Sequence, residues 1–270
     1  MRPFLKWAGN KYRLIDRIRE VLPAGQRLIE PFVGSGAVFL NTDYDGYILA
    51  DANPDLIHLY RLIRDEGDLF IEEARTFFAS GTNDGCVYYA RREEFNALGV
   101  TPEAIRRKAL LFIYLNRHCF NGLCRYNRKG KFNVPFGRYT RPYFPAAEMR
   151  EFHARAQNVR FLHDDFAAVM EQARPGDVVY CDPPYVPLSE TARFTSYSAD
   201  KFGLAQQLRL ARKAEELARR GIPVVISNHH TDFIRRAYAV ANLTTFDVPR
   251  RISCNAATRR PAKEVLALFC

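Results

Sequence analysis

Between Arg106 and Arg141 the chain has no aspartate and no glutamate, although 30 acidic residues occupy the rest of its 270 positions. Ten lysines and arginines fall in that window, enough to account for the whole formal charge of +10. Without acids the stretch does not neutralise itself locally, so a basic surface is expected there. Other absences narrow the class further. No run is long and apolar enough to span a membrane, and the opening "MRPFLKWAGNK" lacks the apolar centre of a signal peptide. The expectation is a cytoplasmic protein with no membrane partner. Six cysteines make no framework: Cys119 and Cys124 lie beside His118, but no second pair completes a zinc site. Buried thiols in a reducing compartment, and no metal, are expected. Repeats and low-complexity tails are also missing, while 47% hydrophobic and 13% aromatic residues exclude a disordered chain.

In place of acids, the basic window carries rings. Phe112, Tyr114, Phe120, Tyr126, Phe132, Phe136 and Tyr139 lie within it, and Tyr143 and Phe144 just beyond. Cations laced with aromatics suit a polyanion whose bases are also touched, which means nucleic acid. The bland alternative is a solvated basic face over a small aromatic core.

The rest of the chain alternates strand and helix. "RLIEPFVGSGAVFL" reads as a strand, a glycine turn and a helix. "YILAD" is a second strand closed by Asp51, and "NPDLIHLYRLIRDEG" a helix capped by Asn53 with Pro54 in its first turn. Its apolar side is Leu56, Leu59, Leu62 and Ile63. After residue 64 the rhythm changes to helices over "RTFFASGTNDGCVYYARREEFN" and "PEAIRRKALLFIYLNRH", then a loop and hairpin turning near Lys129-Gly130. Strand and helix resume with "NVRFLHDDF", "DVVYCD", a helix stopped by Gly221, "PVVISN" and "EVLALF". The predicted fold is α/β: a three-layer body whose sheet has parallel central strands and helices on both faces, formed by residues 1–56 and 145–270. A mainly helical insert with a β-hairpin, residues 57–144, interrupts it. Such sheets bind ligands beyond the carboxyl ends of their strands.

Three candidate sites sit at such ends. The turn "EPFVGSG" brings Phe32, Gly34 and Gly36, whose glycines permit a tight bend and close approach to a ligand. It is neither the full dinucleotide pattern nor a phosphate loop. Asp51, 15 residues after Gly36, can accept from ribose hydroxyls. Together they point to a cofactor containing adenosine, with turn or cap aspartate as the plainer reading of Asp51. "FLHDDF" places Asp165 beside Phe166, an acceptor and a ring for an adenine, or else a helix cap. The early "FLKWAGNK", with Lys6, Trp7 and Lys11, reads as a binding loop. Convergence of these ends on one side of the sheet is expected.

The third end is "VVYCDPPY". Two prolines stop the strand and restrict the backbone after it. An adenine N6 is a poor nucleophile because its lone pair is conjugated into the ring. If Asp182 accepts one N6–H and the Pro183 carbonyl the other, the nitrogen is favoured in a more pyramidal form with its lone pair exposed. Pro184 stiffens the turn and Tyr185 stacks on the base. Orientation and tightening hydrogen bonds supply the rate. The electrophile must be activated already, as the methyl sulfonium of S-adenosylmethionine is. A base paired in a duplex must be flipped to reach such a corner.

At this point the chain resembles the Dam-type DNA adenine-N6 methyltransferases over nearly its full length, through "FLKWAGNK", "EPFVGSGAVFLN", "LNRHCFNGLCRYN", "FNVPFGRY", "YCDPPYVPLS" and "ISNH". The resemblance implies a Rossmann-like class I methyltransferase sheet, S-adenosylmethionine as donor, and double-stranded DNA as partner, with GATC the usual target. It implies a bacterial or phage-encoded enzyme that works as a monomer without an obligate protein partner. It places Trp7, Lys11, Phe32, Gly34, Gly36, Asp51, Asp165 and Phe166 around the cofactor. It gives Lys6 the outer guanine, makes Phe120 a wedge in the base stack, and lets Leu123, Arg125 and Pro135 read base edges. Asn121, Asn127, Lys129, Lys131, Arg138 and Tyr139 complete the DNA-facing set. Three positions depart from the family pattern: Asn10 stands where a glycine is usual, Phe120 replaces a tyrosine, and Ala256-Ala257 replace glycines. Cytosine N4, RNA, and a non-catalytic DNA-binding role remain alternatives at this stage.

Overall fold

The computed structural model describes residues 1–186, 202–248 and 262–270. Residues 187–189 of "YCDPPYVPLS", and Ala256 with Ala257, lie outside that set. Seven strands form one sheet: β1 (Arg27–Glu30), β2 (Gly46–Asp51), β3 (Val159–His163), β4 (Asp177–Cys181), β5 (Val224–His229), β6 (Asn242–Val248) and β7 (Ala262–Phe269), in the order β3-β2-β1-β4-β5-β7-β6. The helices are α1 (Ile15–Val21), α2 (Pro54–Glu66), α3 (Asp68–Thr76), α4 (Gly85–Ala97), α5 (Pro102–His118), α6 (Ala146–Arg155), α7 (Phe166–Met170), α8 (Leu204–Arg219) and α9 (Asp232–Ala237). This is the Rossmann-like class I methyltransferase architecture that the sequence predicts. None of the described helices is long and apolar enough to cross a membrane.

Contacts divide the chain into two compact units. One comprises Arg17–Phe32, Tyr44–Ile48 and Asp164–Cys270. Its centre is β4, whose five residues are all buried, as a parallel strand covered on both faces must be. β1 and β5 flank it in parallel, and β7 runs antiparallel between β5 and β6. Sheet order reverses direction between β1 and β4, the switch point where open α/β sheets take ligands. Phe32 follows β1 there and Asp182 follows β4. Arg27 ties these two strands at their other ends, its Nε 3.0 Å and its second nitrogen 2.6 Å from the Asp177 carboxylate. Gly221, at φ +73°, stops α8 as expected, its amide donating to Ala218.

The other unit comprises Met1–Asp16, Val33–Asp43 and Leu49–His163. Asn53 caps α2 through the Asp55 and Leu56 amides, and Pro54 fills the first turn, as predicted. The buried side of α2 is Leu56, Ile57, Leu59, Tyr60 and Ile63, with Leu62 half-exposed. α5 is buried from Ala109 to Asn116, so it forms the core of the inserted helices.

Two readings change. After the glycine turn the chain makes a single 3-10 turn, Phe39–Asn41, where an α-helix was expected. Asn41 and Thr42 bond back to the carbonyls of Ala37 and Val38, ending the turn before a helix can propagate. The helix expected over "RTFFASGTNDGCVYYARREEFN" is two, α3 and α4, separated at 77–84, because Asp84 caps α4 through the Cys86 and Val87 amides. β6 was not anticipated: its mostly exposed residues show no apolar alternation, and its partner β7 supplies the pairing.

Candidate active site

The Asp182–Tyr185 corner is held from three directions. Ser227, on β5, donates its hydroxyl to Asp182 Oδ1 at 2.8 Å. Gln207, buried on α8, donates to the Pro184 carbonyl at 2.7 Å. The Asn228 side-chain oxygen receives the Val186 amide at 3.2 Å, and His229 Nδ1 meets the Val186 carbonyl at 2.9 Å. The Tyr185 phenol donates to Glu264 of β7 at 3.2 Å, and its ring packs edge-on to His229. Burial, with the Asp182 carboxylate nearby, pushes the Tyr185 phenol well up, so it stays a neutral donor. Asp182 and Tyr185 are half-buried, Pro183 is buried and Pro184 exposed. A carboxylate, a ring and a stiff backbone are thus fixed at the end of β4 by hydrogen bonds to elements remote in sequence.

Beside it in the same unit, Phe32 and Phe166 stack with centroids 5.4 Å apart and planes 27° from parallel, and Phe202 meets both edge-on. Asp165 caps α7 through the Ala167 amide at 3.0 Å. It also takes a two-pronged ion pair from Arg209 at 2.7 and 3.0 Å, while that guanidinium lies 4.8 Å from the Phe166 ring. Burial pushes the Asp165 carboxyl up, but Arg209 and the amide outweigh it and leave it below the ordinary range. The cap reading of Asp165 is thus seen directly, and the carboxylate oxygens also accept from Arg209.

In the other unit, Asp51 ends β2 and receives the Gly34 amide at 3.1 Å and the Asn53 amide at 2.9 Å. Burial raises its carboxyl, and these backbone donors pull it back. Gly34 and Gly36 have φ of +47° and +72°, a backbone that favours glycine. A Cβ on Gly34 would lie 2.9 Å from the Trp7 indole nitrogen, so ring and turn are in direct contact. Lys11 is buried and donates to the Gly9 carbonyl at 2.7 Å, which folds the early loop on itself.

The basic, aromatic segment belongs to the same unit as Asp51. Asn116 of α5 clasps Lys6 through both its backbone groups, at 2.9 and 2.7 Å. The Lys6 ammonium sits 3.8 Å from the centre of the Tyr139 ring. Burial lowers its pKa, and Arg117 adds to that. Bridges Cys119–Phe136 and Tyr126–Phe132 make the expected hairpin, an irregular ribbon without a continuous ladder. Asn127 organises its turn by accepting from the Lys129 and Lys131 amides. Arg125 is steered by Asn133, Nε to Oδ1 at 2.9 Å. Asn121 and Arg138 adopt left-handed backbone, at φ 54° and 52°. Phe120 is 49% exposed, a large ring left in solvent beside these cations. Leu123 is half-buried and Pro135 exposed, its carbonyl receiving the Phe120 amide.

Sequence reading assigned no role to Ser227, Gln207, Glu264 or Arg209. Only the polar "SNH" ending a buried strand could have flagged the first. Among the described residues, no group of three or more His, Cys, Asp or Glu is placed to hold a metal. Cys119 instead contacts the carbonyls of Asn116 and Leu123, with its thiol pushed up to about 12 by burial.

Comparison with known proteins agrees with this geometry. A family model for D12 class N6 adenine-specific DNA methyltransferases matches residues 7–252. The DNA adenine methylase of Escherichia coli (strain K12) is 53% identical over 268 residues, covering 99% of this chain and 95% of that protein. The DNA adenine methylase of Serratia marcescens is 52% identical over 269 residues, covering 99% and 98%. A carboxylate and a ring fixed at the end of β4 accompany a family match over residues 7–252 and full-length similarity: the chain belongs to the D12 class and is a DNA adenine-N6 methyltransferase.

Proposed function

We propose that the methyl donor is S-adenosylmethionine and that the acceptor is an adenine flipped out of double-stranded DNA, within GATC. The observation that carries the chemistry is the fixed Asp182–Tyr185 corner, with Ser227 on the carboxylate and Gln207 on the Pro184 carbonyl. Asp182 accepts one N6–H and the Pro183 carbonyl the other, and Tyr185 stacks on the base. As the N6–C bond forms, the methyl carbon's bond to the sulfonium would break with its electron pair leaving on sulfur; the nitrogen gains positive charge and its proton passes to Asp182 or to water. Strengthening of both hydrogen bonds at that moment lowers the barrier. No nucleophilic cysteine is required.

The residues fit an adenosine-containing donor. In one unit the glycine turn packed on Trp7 offers backbone amides and Asp51 a ribose acceptor; in the other Phe32 and Phe166 offer rings and Asp165 an acceptor suited to an adenine. Lys11 supports that loop. The donor supplies an electrophilic methyl on a sulfonium. For DNA, Lys6 and Arg125 take guanine edges, Leu123 and Pro135 the remaining edges, and Phe120 the vacated stack. Asn121, Asn127, Lys129, Lys131, Arg138 and Tyr139 hold backbone or shape the ribbon that does. The enzyme acts as a monomer on duplex DNA.

The test is to incubate purified protein with labelled donor and matched substrates: GATC duplexes, duplexes altered at each position, cytosine-only targets and RNA. Label on adenine of GATC duplexes alone is expected. Label on cytosine or RNA, or on adenine regardless of flanking bases, overturns the target assignment.

A further inference from the structure

Tyr180, Asp182 and Ser227 share a face at the end of two parallel strands. Tyr180 pairs with Val225 and Cys181 with Ile226, so the next positions, Asp182 and Ser227, lie side by side. Alternation along a strand puts Tyr180 with Asp182, and Val225 with Ser227, on one side. The Tyr180 phenol donates to Ser227 Oγ at 3.2 Å, and Ser227 Oγ donates to Asp182 Oδ1 at 2.8 Å. The serine has one proton and other acceptors in reach: the Cys181 carbonyl at 3.4 Å and the Tyr185 phenol. The carboxylate is nearer than the Cys181 carbonyl and is the charged acceptor, and charge-assisted hydrogen bonds are the stronger kind. Tyr180 and Ser227 are almost wholly buried, at 1% and 2% exposure, so water does not compete. Burial pushes the Tyr180 phenol well up, which keeps it a donor.

We propose that Tyr180 and Ser227 are positioning residues: a buried hydroxyl chain that fixes the rotamer and direction of the Asp182 carboxylate before the amine arrives. The inference rests on Asp182 being the amine acceptor. Neither hydroxyl touches the reacting atoms. Their contribution is preorganisation, which acts on the chemical step and leaves donor and DNA binding alone.

The experiment compares Ser227→Ala, Ser227→Thr, Tyr180→Phe, the Ala/Phe double variant and Asp182→Ala. Each is read by single-turnover methyl transfer, donor Kd, DNA Kd and melting temperature. Ser227→Ala is expected to slow transfer by about 10- to 100-fold, the range for a lost hydrogen bond to a charged group, with both Kd values unchanged. Ser227→Thr keeps the hydroxyl and recovers most of the rate. Tyr180→Phe slows transfer by about 3-fold and has no further effect in the Ser227→Ala background, as a single chain requires. Unchanged transfer in Ser227→Ala, with Asp182→Ala inactive, overturns the chain while sparing the role of Asp182. Active Asp182→Ala overturns that role itself. Additive losses in the double variant, or losses that follow melting temperature in every variant, make the serine merely structural and contradict the proposal. If Ser227→Ala does not fold, Tyr180→Phe with Ser227→Thr decides alone.

Discussion

Side-chain geometry at Arg125 and Gly34 leads to two expectations. Arg125 is oriented by two bonds to Asn133, Nε to Oδ1 at 2.9 Å and Nη2 to the backbone carbonyl at 3.3 Å, and an arginine can exchange such contacts for guanine O6 and N7. Arg125→Ala is expected to lower discrimination between cognate and altered duplexes by about 1–3 kcal/mol, while nonspecific affinity falls less. Binding to both duplexes at one salt concentration checks this, and equal losses would make Arg125 a backbone contact. Gly34 combines a left-handed φ with contact to Trp7. Gly34→Ala adds strain of about 1–2 kcal/mol and drives a methyl against the indole. Weaker donor binding with unchanged DNA affinity is expected in calorimetric titrations of each ligand. Donor affinity equal to that of the parent enzyme would show that the turn adapts without cost to the site.

Element packing decides where the basic ribbon is anchored and how it responds to acid. Tyr126 donates to Asp55 at 2.7 Å, Lys108 pairs with the same carboxylate at 2.9 Å, and Asn53 reaches Cys124 at 3.4 Å. These bonds fasten the ribbon to the first turn of α2. Tyr126→Phe leaves that buried carboxylate one donor short, at a cost of about 1–3 kcal/mol in denaturant unfolding. A loss below the error of the measurement would assign the anchoring to Lys108. At the end of α5, buried His118 stacks on Tyr114 and bonds its carbonyl at 2.8 Å. Burial pulls its pKa down from 6.5 to about 4. Above pH 6.5 the ring is neutral folded or unfolded, and its contribution to stability is complete. As pH falls toward 4 the unfolded chain binds the proton first, so that contribution is lost. His118→Gln is expected to flatten melting temperature against pH across this window, and an unchanged slope would contradict it. Local chemistry was legible where neighbours in sequence are neighbours in space: the Asn53 cap, the Gly221 stop, the prolines ending β4 and the turn near Gly130. The hydrogen bonds holding the catalytic corner were not. Ser227, Gln207 and Glu264 are 45, 23 and 79 residues from the groups they bind. The sheet order that brings strands together is a tertiary outcome without a local signal. The 3-10 turn at Phe39 was missed because two polar side chains, not apolar periodicity, end it.

Over the whole molecule, the excess positive charge and the chemical site belong to different segments of the chain. Ten cations lie between Arg106 and Arg141, four on α5 and the rest on the ribbon and the residues just after it, the stretch proposed above to face DNA. Removing Lys129 and Lys131 together is expected to reduce the slope of log affinity against log salt by about 2, nearly one for each phosphate contact, with sequence preference retained. An unchanged slope would place those lysines away from phosphates. Class membership follows from full-length similarity, but the central claim is physical: the end of β4 is an amine clamp. Its most direct test is Asp182→Asn, which keeps the shape of the side chain and removes its charge, in single-turnover transfer to a GATC duplex with DNA affinity measured in parallel. The account predicts a loss of about 100-fold or more in rate with DNA affinity retained. A rate equal to that of the parent enzyme would contradict it.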